Sequence, residues 1–171
     1  HLSPKIFAAK ATLKQRSFGK CVFIFDKYFI ITILYIVNIN IIPIGEGDTM
    51  VKIKIIVGSV RPNRFGIQPA AWMNELAQKH KEAQFELIDL KDVNLPFLDE
   101  PIPPAMDQYQ NEHTKKWSKV IDESDGFIFI TPEYNHSFPA SLKNAIDFLA
   151  REWGYKPVSF VSYGAQTGGS R

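Results

Sequence analysis

Hydrophobic and polar positions alternate with two different periods along residues 50–171. Runs rich in β-branched and aromatic residues, bounded by Gly, Pro or polar residues, predict strands. These strands fall at residues 51–59, 84–90, 126–131 and 157–164. Apolar residues spaced three or four apart predict helices between them, at residues 67–80, 110–124 and 139–152. The alternation predicts a parallel α/β sheet with right-handed crossovers, in which ligands bind where the strands end.

Residues 1–49 differ in character from the rest of the chain. They carry six Lys and Arg against three Asp and Glu. Residues 28–44 form a charge-free run of 17, the lower limit for a membrane span, although two Asn and a Pro interrupt it. Ile, Phe, Tyr, Asn and Lys are the residues that AT-rich codons specify, and "GEGDTM" can encode a ribosome-binding sequence before a start codon. We therefore predict a non-native or disordered extension, translated from upstream of Met50, with a membrane anchor or an extra structural element as alternatives.

The charge balance of residues 50–171 limits the classes of function. Fourteen Lys and Arg stand against fifteen Asp and Glu there, so the excess of cations expected of a nucleic-acid binder is missing. Cys21, the only cysteine, lies outside this region, which therefore has no disulfide, thiolate nucleophile or Cys-ligated metal. Four histidines without metal-site spacing predict no metal site. We expect a cytoplasmic protein that binds neither nucleic acid nor membrane.

The first strand is followed by "GSVRPNRFG", residues 58–66. This is neither a GxGxxG fingerprint nor a GxxxxGK[ST] phosphate loop, so a dinucleotide or nucleoside triphosphate site is not supported. It nonetheless offers two arginines and a serine at the start of a helix, where exposed N–H groups and the helix dipole attract a phosphate. A phosphate site and an exposed polar turn both fit this pattern.

The third strand is followed by "TPEYNHSF", residues 131–138. Pro132 is expected to end the strand and to free the backbone N–H groups of the next three residues for the edge of a polar ring. Tyr134 would add an aromatic face, although a loop tyrosine that packs on its own domain is the alternative. We expect His136 to be an ordinary surface histidine.

Together, "GSVRPNRFG", "TPEYNHSFPASLKNAID" and "SYGAQTGGSR" resemble the NADPH-dependent FMN reductase family, flavodoxin-like proteins that include quinone, azo-dye and chromate reductases. The resemblance covers residues 50–171. It implies an enzyme with non-covalent FMN and with NADPH or NADH as electron donor. It assigns no catalytic side chain. The FMN contacts that it implies are Ser59, Arg61, Asn63 and Arg64 for the phosphate, Pro132, Glu133, Tyr134 and Asn135 for the ring, and Ser162, Tyr163 and Gly164 for the closing side.

The resemblance also implies partners. The electron acceptor would be a small molecule (a quinone, an azo compound, free flavin or a metal oxyanion) reduced by ping-pong hydride transfer, and the full-length protein would be a homodimer or homotetramer. A flavodoxin-like electron carrier without NAD(P)H oxidation of its own is the alternative. Such carriers are usually strongly acidic, whereas residues 50–171 are close to neutral.

A flavodoxin-like sheet has five parallel strands in the order 2-1-3-4-5, and the pattern here supplies four. We therefore expect a doubly wound sheet without its fifth strand, in a fragment of a longer reductase that is truncated at its C-terminus. The fourth strand would then be an exposed apolar edge, which promotes association with other chains. We expect the isolated chain to aggregate and to bind FMN weakly.

Overall fold

The structure is a computed structural model that describes residues 20–24, 30–34, 50–165 and 168. Within these residues the strands are β1 (Lys20–Ile24), β2 (Ile30–Leu34), β3 (Val51–Val57), β4 (Ala83–Asp89), β5 (Gly126–Pro132) and β6 (Val158–Gly164). The helices are α1 (Ile67–Ala77), α2 (Leu90–Val93), α3 (Glu112–Asp122) and α4 (Ala140–Asp147). Each predicted strand is found within two residues of its expected ends.

The four strands of residues 50–165 form a parallel sheet in the order β4-β3-β5-β6. Numbered from Met50 this is the order 2-1-3-4, so the predicted doubly wound, flavodoxin-like arrangement is confirmed. β5 lies in the middle and is buried along almost its whole length, as its apolar sequence predicts for a strand covered on both faces. The carboxyl ends of β3, β5 and β6 are adjacent, which brings the three loops that follow them to one edge.

The outer edge of β6 is paired in the structure. β2 runs antiparallel to it, with Ile30 opposite Gly164 and Leu34 opposite Phe160, and β1 pairs with β2 in turn. The prediction that β6 is an open edge is therefore wrong. An unpaired strand edge presents free N–H and C=O groups, and the β-branched segment of β2 is well suited to pair with them.

Most of residues 1–49 lie outside the described residues, so the prediction that they are non-native or disordered is untested. Of the charge-free run 28–44, the structure describes β2, and the remainder of the run falls outside it. Among the described residues no helix is long and apolar enough to cross a membrane. Whether the segment is translated from upstream of Met50 stays a prediction.

Two hydrophobic cores lie on opposite faces of the sheet. The first is built by α3 and α4 against β3 and β5, with Trp117, Ile121 and Phe148 at its centre. The second is built by α1 against β3, β5 and β6, and it includes Val57, Ala70, Ala77, Val161 and Tyr163. The predicted apolar faces of the three long helices are the faces that pack here.

α4 ends at Asp147, earlier than the predicted 152. Phe148 and Leu149 still enter the core, but Arg151–Trp153 forms a separate 3-10 turn. The reason is Glu152, whose buried carboxylate accepts hydrogen bonds from Ser118 Oγ at 2.6 Å, Tyr109 Oη at 3.0 Å and the Ala150 amide. A side chain that bonds to a nearby backbone N–H competes with continuation of the helix.

The Pro-rich connection between α2 and α3 is tied to its neighbours at two points. Asn144 on α4 donates to the Pro96 carbonyl and accepts from the Leu98 amide. Glu100 accepts from the amides of Gln110 and Asn111 at the start of α3. These bonds fix a segment that has little regular secondary structure, and they leave the side chain of Phe97 in solvent.

Candidate functional site

The first loop, residues 58–66, begins with a close contact between β3, β5 and α4. The Gly58 amide donates to the Ile130 carbonyl at 2.9 Å, and the Gly58 carbonyl accepts from Ser141 Oγ. A Cβ at Gly58 would lie 3.2 Å from Leu142 Cδ2 and 3.3 Å from the Ile130 oxygen, so glycine suits this crossing. Ser141, which ties the first loop to α4, was missed because a single serine in a helix carries no distinctive sequence signal.

The four residues predicted to bind phosphate have different environments. Ser59 is buried, and its hydroxyl lies 3.2 Å from Tyr134 Oη in the second loop. Arg61 and Asn63 are exposed, and Asn63 has the left-handed backbone conformation that turns the chain toward α1. Among the described residues Arg61 has no ion-pair partner. The structure thus brings the first and second loops into contact through Ser59 and leaves one cation on the loop surface.

Arg64 is only 8% exposed at its side chain and pairs with Asp89, at the end of β4. Asp89 also accepts from the Lys91 amide and so caps α2. The Nε of Arg64 is buried without a hydrogen-bond partner among the described residues. Arg64 therefore fixes the loop through one side of its guanidinium group, while Nε is left as an unused donor. Asp89 was missed because nothing in the sequence relates it to a loop 25 residues earlier.

The second loop differs from its predicted form. Pro132 does not end β5 early but pairs within it, opposite Tyr163. The Glu133 amide donates to the Tyr163 carbonyl and the Tyr134 amide to the Ser137 carbonyl, so the prediction that both N–H groups are free is wrong. The Tyr134–Ser137 bridge closes a two-residue turn that Pro132 alone did not reveal.

The tip of this turn consists of Asn135 and His136, both with positive φ. A tight hairpin turn of this kind requires positive φ at both central residues. Within the described part of the chain, the amides of these two residues have no hydrogen-bond partner. Of the three amides predicted to be free, only that of Asn135 is without a bond among the described residues, and the amide of His136 joins it at the tip of the turn. The His136 ring is exposed and lies 3.8 Å from the Glu133 carboxylate.

The third loop follows β6 and places its residues on different sides. Ser162 Oγ donates to the Gly168 carbonyl at 2.8 Å, which closes this loop on itself. Gly164 is the last residue of β6. Tyr163 points toward α1, where its ring packs edge-on against Phe65 at 5.4 Å between centroids. Tyr163 thus lies beneath the first loop, and its role on the closing side of the flavin, which the resemblance implies, stays a prediction.

Tyr163 is 4% exposed, and its hydroxyl has no hydrogen-bond partner among the described residues. Burial raises the pKa of Tyr163 to about 12, and Tyr134 adds to the shift. The Ser59 hydroxyl and the charges of Arg61 and Arg64 lower the pKa of Tyr163, so these groups are its neighbours. The Ser59 hydroxyl pairs with Tyr134 Oη at 3.2 Å and does not meet hydrogen-bond geometry toward Tyr163 Oη. The phenol is therefore protonated at neutral pH and is a potential donor.

A cleft of about 270 Å³ opens on the α4 side of the first loop. Its lining includes Val60 from that loop, Lys91 and Asn94 from α2 and its end, and Asn144 from α4. Tyr163 and α1 lie on the other side of the sheet. The first loop therefore borders this cleft on one face of the sheet and the buried core of α1 and Tyr163 on the other. The α2 residues were not foreseen because this four-residue helix was not predicted.

The family model for NADPH-dependent FMN reductase matches residues 51–171. The chain belongs to this family. An NAD(P)H-dependent FMN reductase of Schizosaccharomyces pombe is 46% identical over 120 residues, which cover 69% of this chain and 60% of that protein. A 2-hydroxy-1,4-benzoquinone reductase of a Burkholderia species is 34% identical over 103 residues, covering 60% of this chain and 52% of the relative. The chain thus spans about half to three fifths of these FMN reductase relatives.

The fold of this FMN reductase family member also matches a solved structure. The flavoenzyme NAD(P)H:(acceptor) oxidoreductase FerB from Paracoccus denitrificans superposes with a TM-score of 0.50 and 27% sequence identity. The match covers 63% of this chain and 58% of FerB. Flavodoxin-like topology and family membership, both implied by the resemblance of the three motifs, are confirmed.

Proposed function

We propose that this protein binds FMN at the carboxyl edge of its sheet and uses NAD(P)H to reduce a small-molecule electron acceptor. One observation carries the proposal. Among the described residues, the first loop presents a cation without an ion-pair partner, Arg61, and a buried donor without a hydrogen bond, Arg64 Nε, beside the start of α1. α1 has no side-chain cap and no acidic residue in its first turn, which favours an anion there, although the Gln68 amide already donates to the Phe65 carbonyl.

The residues present fit a flavin nucleotide. Ser59, Arg61 and Arg64 Nε can donate to a phosphate, and charge-assisted bonds of this kind are the stronger class of hydrogen bond. Asn63 shapes the loop around the phosphate through its left-handed backbone. The exposed phenol of Tyr134, joined to Ser59 at 3.2 Å, connects the phosphate loop to the ring loop.

When bound, FMN would supply the redox chemistry of hydride transfer from NAD(P)H and electron transfer to the acceptor. The chain positions the ring and stabilises charge that develops on its polar edge. The amides of Asn135 and His136 at the tip of the second loop are the donors that we assign to this edge. Pro132 and Glu133 act as its frame, since Pro132 continues β5 and the Glu133 amide bonds to β6. No side-chain general acid is required by this assignment.

Mixing the chain with FMN and NADPH under anaerobic conditions tests the proposal. Flavin binding, whether weak or tight, followed by loss of flavin absorbance on addition of NADPH is the expected result. FMN binding without reduction would favour the electron-carrier alternative. Failure to bind FMN at all would contradict the proposal. Titration with quinone, azo dye, free flavin and chromate, with initial rates at several donor concentrations, would then identify the acceptor and test for ping-pong kinetics.

The phosphate assignment predicts that Arg61→Ala weakens FMN far more than riboflavin, which has no phosphate. A hydrogen bond to a charged group contributes roughly 1.5–3 kcal/mol, so we expect a loss of about 10- to 100-fold for FMN. Arg61 is preferred to Arg64 because Arg64→Ala would also break the ion pair with Asp89. Arg151→Ala is the matched control, since Arg151 is exposed and pairs with Asp107 elsewhere on the surface. Equal losses for both flavins would place the phosphate elsewhere.

The homodimer or homotetramer that the resemblance implies, and the cytoplasmic location expected from the cysteine content, are part of this proposal. Phe97 and Met106 on the Pro-rich connection are large apolar side chains left mostly in solvent. Exposed apolar residues of this kind are suited to a contact between subunits. Sedimentation of the chain and of a Phe97→Ser, Met106→Ser variant tests this, and an unchanged assembly state in the variant would exclude the surface.

A further inference from the structure

Tyr163 has an environment that its position in the sequence does not explain. It comes from the end of β6, yet its side chain crosses the core to the beginning of α1. The ring is held by Phe65 and by the apolar residues around Val57 and Ala70. A phenylalanine would satisfy these contacts equally well, and the hydroxyl has no partner among the described residues. A buried hydroxyl without a hydrogen bond costs free energy, so its presence needs a reason.

The space around Gly66 shows where the Tyr163 hydroxyl lies. Gly66 is the N-cap of α1, and a Cβ built on it would lie 2.4 Å from Tyr163 Oη. The phenol oxygen thus occupies the volume that a side chain would fill at the helix cap. The backbone of Gly66 has φ −54°, which any residue adopts, so glycine is required here for space and not for conformation.

The charges around the hydroxyl favour an anion. Arg61 and Arg64 are near enough to influence its titration, and the unused Arg64 Nε is a second buried donor of the same loop. The protonated phenol supplies an O–H at neutral pH. Two unused donors, one from β6 and one from the first loop, therefore accompany the uncapped amino end of α1.

Resting on the proposed function, we propose that Tyr163 Oη donates a hydrogen bond to the phosphate of the bound flavin nucleotide. Tyr163 would then be a phosphate ligand supplied by β6. Its hydroxyl would form a hydrogen bond only in the complex with the flavin nucleotide. This assignment separates Tyr163 from the flavin ring, and it makes the first and third loops share one phosphate.

Tyr163→Phe tests the assignment in the 171-residue chain. We expect FMN affinity, measured by quenching of flavin fluorescence, to fall roughly 10-fold or more, as for loss of one bond to a charged group. Riboflavin affinity should change by less than about 2-fold, because riboflavin has no phosphate and the contacts to the flavin ring are not altered. The 31P resonance of bound FMN should shift. Tyr155→Phe, at a fully exposed tyrosine, is the control and should change neither affinity.

Thermal unfolding without ligand gives a second readout. Because the hydroxyl is unpartnered, Tyr163→Phe should leave the midpoint unchanged or raise it, and a clear fall would overturn the assignment by revealing a partner within the protein. Equal losses of affinity for FMN and riboflavin, or no loss for FMN, would also overturn the assignment while leaving the proposed function intact.

If the unsubstituted chain binds neither flavin, the proposed function fails. Stabilisation by inorganic phosphate that Tyr163→Phe abolishes would then still support the donor role, and its absence would overturn it.

Discussion

Two buried polar clusters of this chain contrast in how their groups are satisfied. Around Glu152, a carboxylate that is 1% exposed receives hydrogen bonds from Ser118, Tyr109 and a backbone amide. Around the first loop, Tyr163 and Arg64 are almost as deeply buried, yet each retains a donor without a partner among the described residues. Both clusters join segments distant in the sequence, but only the Glu152 cluster is complete.

The contrast separates a structural role from a binding role. A buried polar group that is fully paired stabilises the fold, and its loss should appear in the free energy of unfolding. A buried donor without a hydrogen bond lowers the stability of the unliganded fold. Its presence is explained if a bound ligand accepts the missing hydrogen bond. The Glu152 cluster fixes the Pro-rich connection and the end of α4. The first-loop cluster lies where three loops meet.

The largest effect on stability is expected from Glu152→Gln. The change removes the negative charge and replaces one of the two accepting oxygens by an amide donor, which faces either the Ser118 or the Tyr109 hydroxyl, so we expect unfolding to require about 2–4 kcal/mol less. Urea denaturation measures this, with Glu112→Gln at an exposed position of α3 as the matched control. FMN affinity relative to riboflavin should not change. A stability loss no larger than that of the control would mean that the paired cluster contributes little.

The same cluster predicts a pH dependence. Burial raises the pKa of Glu152, but hydrogen bonds from Ser118, the backbone and Tyr109 outweigh burial, and the net pKa lies below the usual 4.5. The carboxylate therefore contributes stability that is present above pH 4.5 and is lost as the pH falls through the folded-state pKa. The stability difference between the unsubstituted chain and Glu152→Gln should shrink over that range.

A smaller effect is expected from Gly66→Ala. The new Cβ would overlap Tyr163 Oη, and overpacking of this kind costs about 1–3 kcal/mol. The double variant Gly66→Ala, Tyr163→Phe should recover part of that loss, because the overlapping oxygen is gone. A double-mutant cycle by urea denaturation measures the coupling. Additive effects would show that the two residues are not in contact.

The smallest change is expected from Asn135→Ala in the second loop. Asn135 has φ 50°, a left-handed conformation that costs a non-Gly, non-Asn residue roughly 1 kcal/mol. Asn135→Gly, the matched variant, should unfold close to the unsubstituted chain. Both should retain the fold, and a turn altered by Ala should change flavin absorbance or the rate of reduction. Normal spectra and rates in both variants would mean that this turn is only scaffold.

The sequence pattern predicted the parallel sheet, and the resemblance of its motifs implied the strand order and the family. Strand and helix periods are local properties, and the β5 run has almost no polar position that would allow another assignment. The three motifs identified the loops correctly because parallel strands place their carboxyl ends at one edge. Ser59 and Arg61 lie in the loop between β3 and α1, and their contacts with FMN remain a proposal.

Only the tertiary structure decided which atoms of those loops are available. The amides of Glu133 and Tyr134 are not available because the carbonyls of Tyr163 on β6 and of Ser137 accept hydrogen bonds from them, and the available amides are at the tip of the turn. Arg64 forms an ion pair with Asp89 on the neighbouring strand β4. The side chain of Tyr163 lies toward α1 because successive side chains along β6 point to opposite faces of the sheet. Hydrogen-bond satisfaction depends on partners far apart in the chain, and for that reason no local pattern could reveal it.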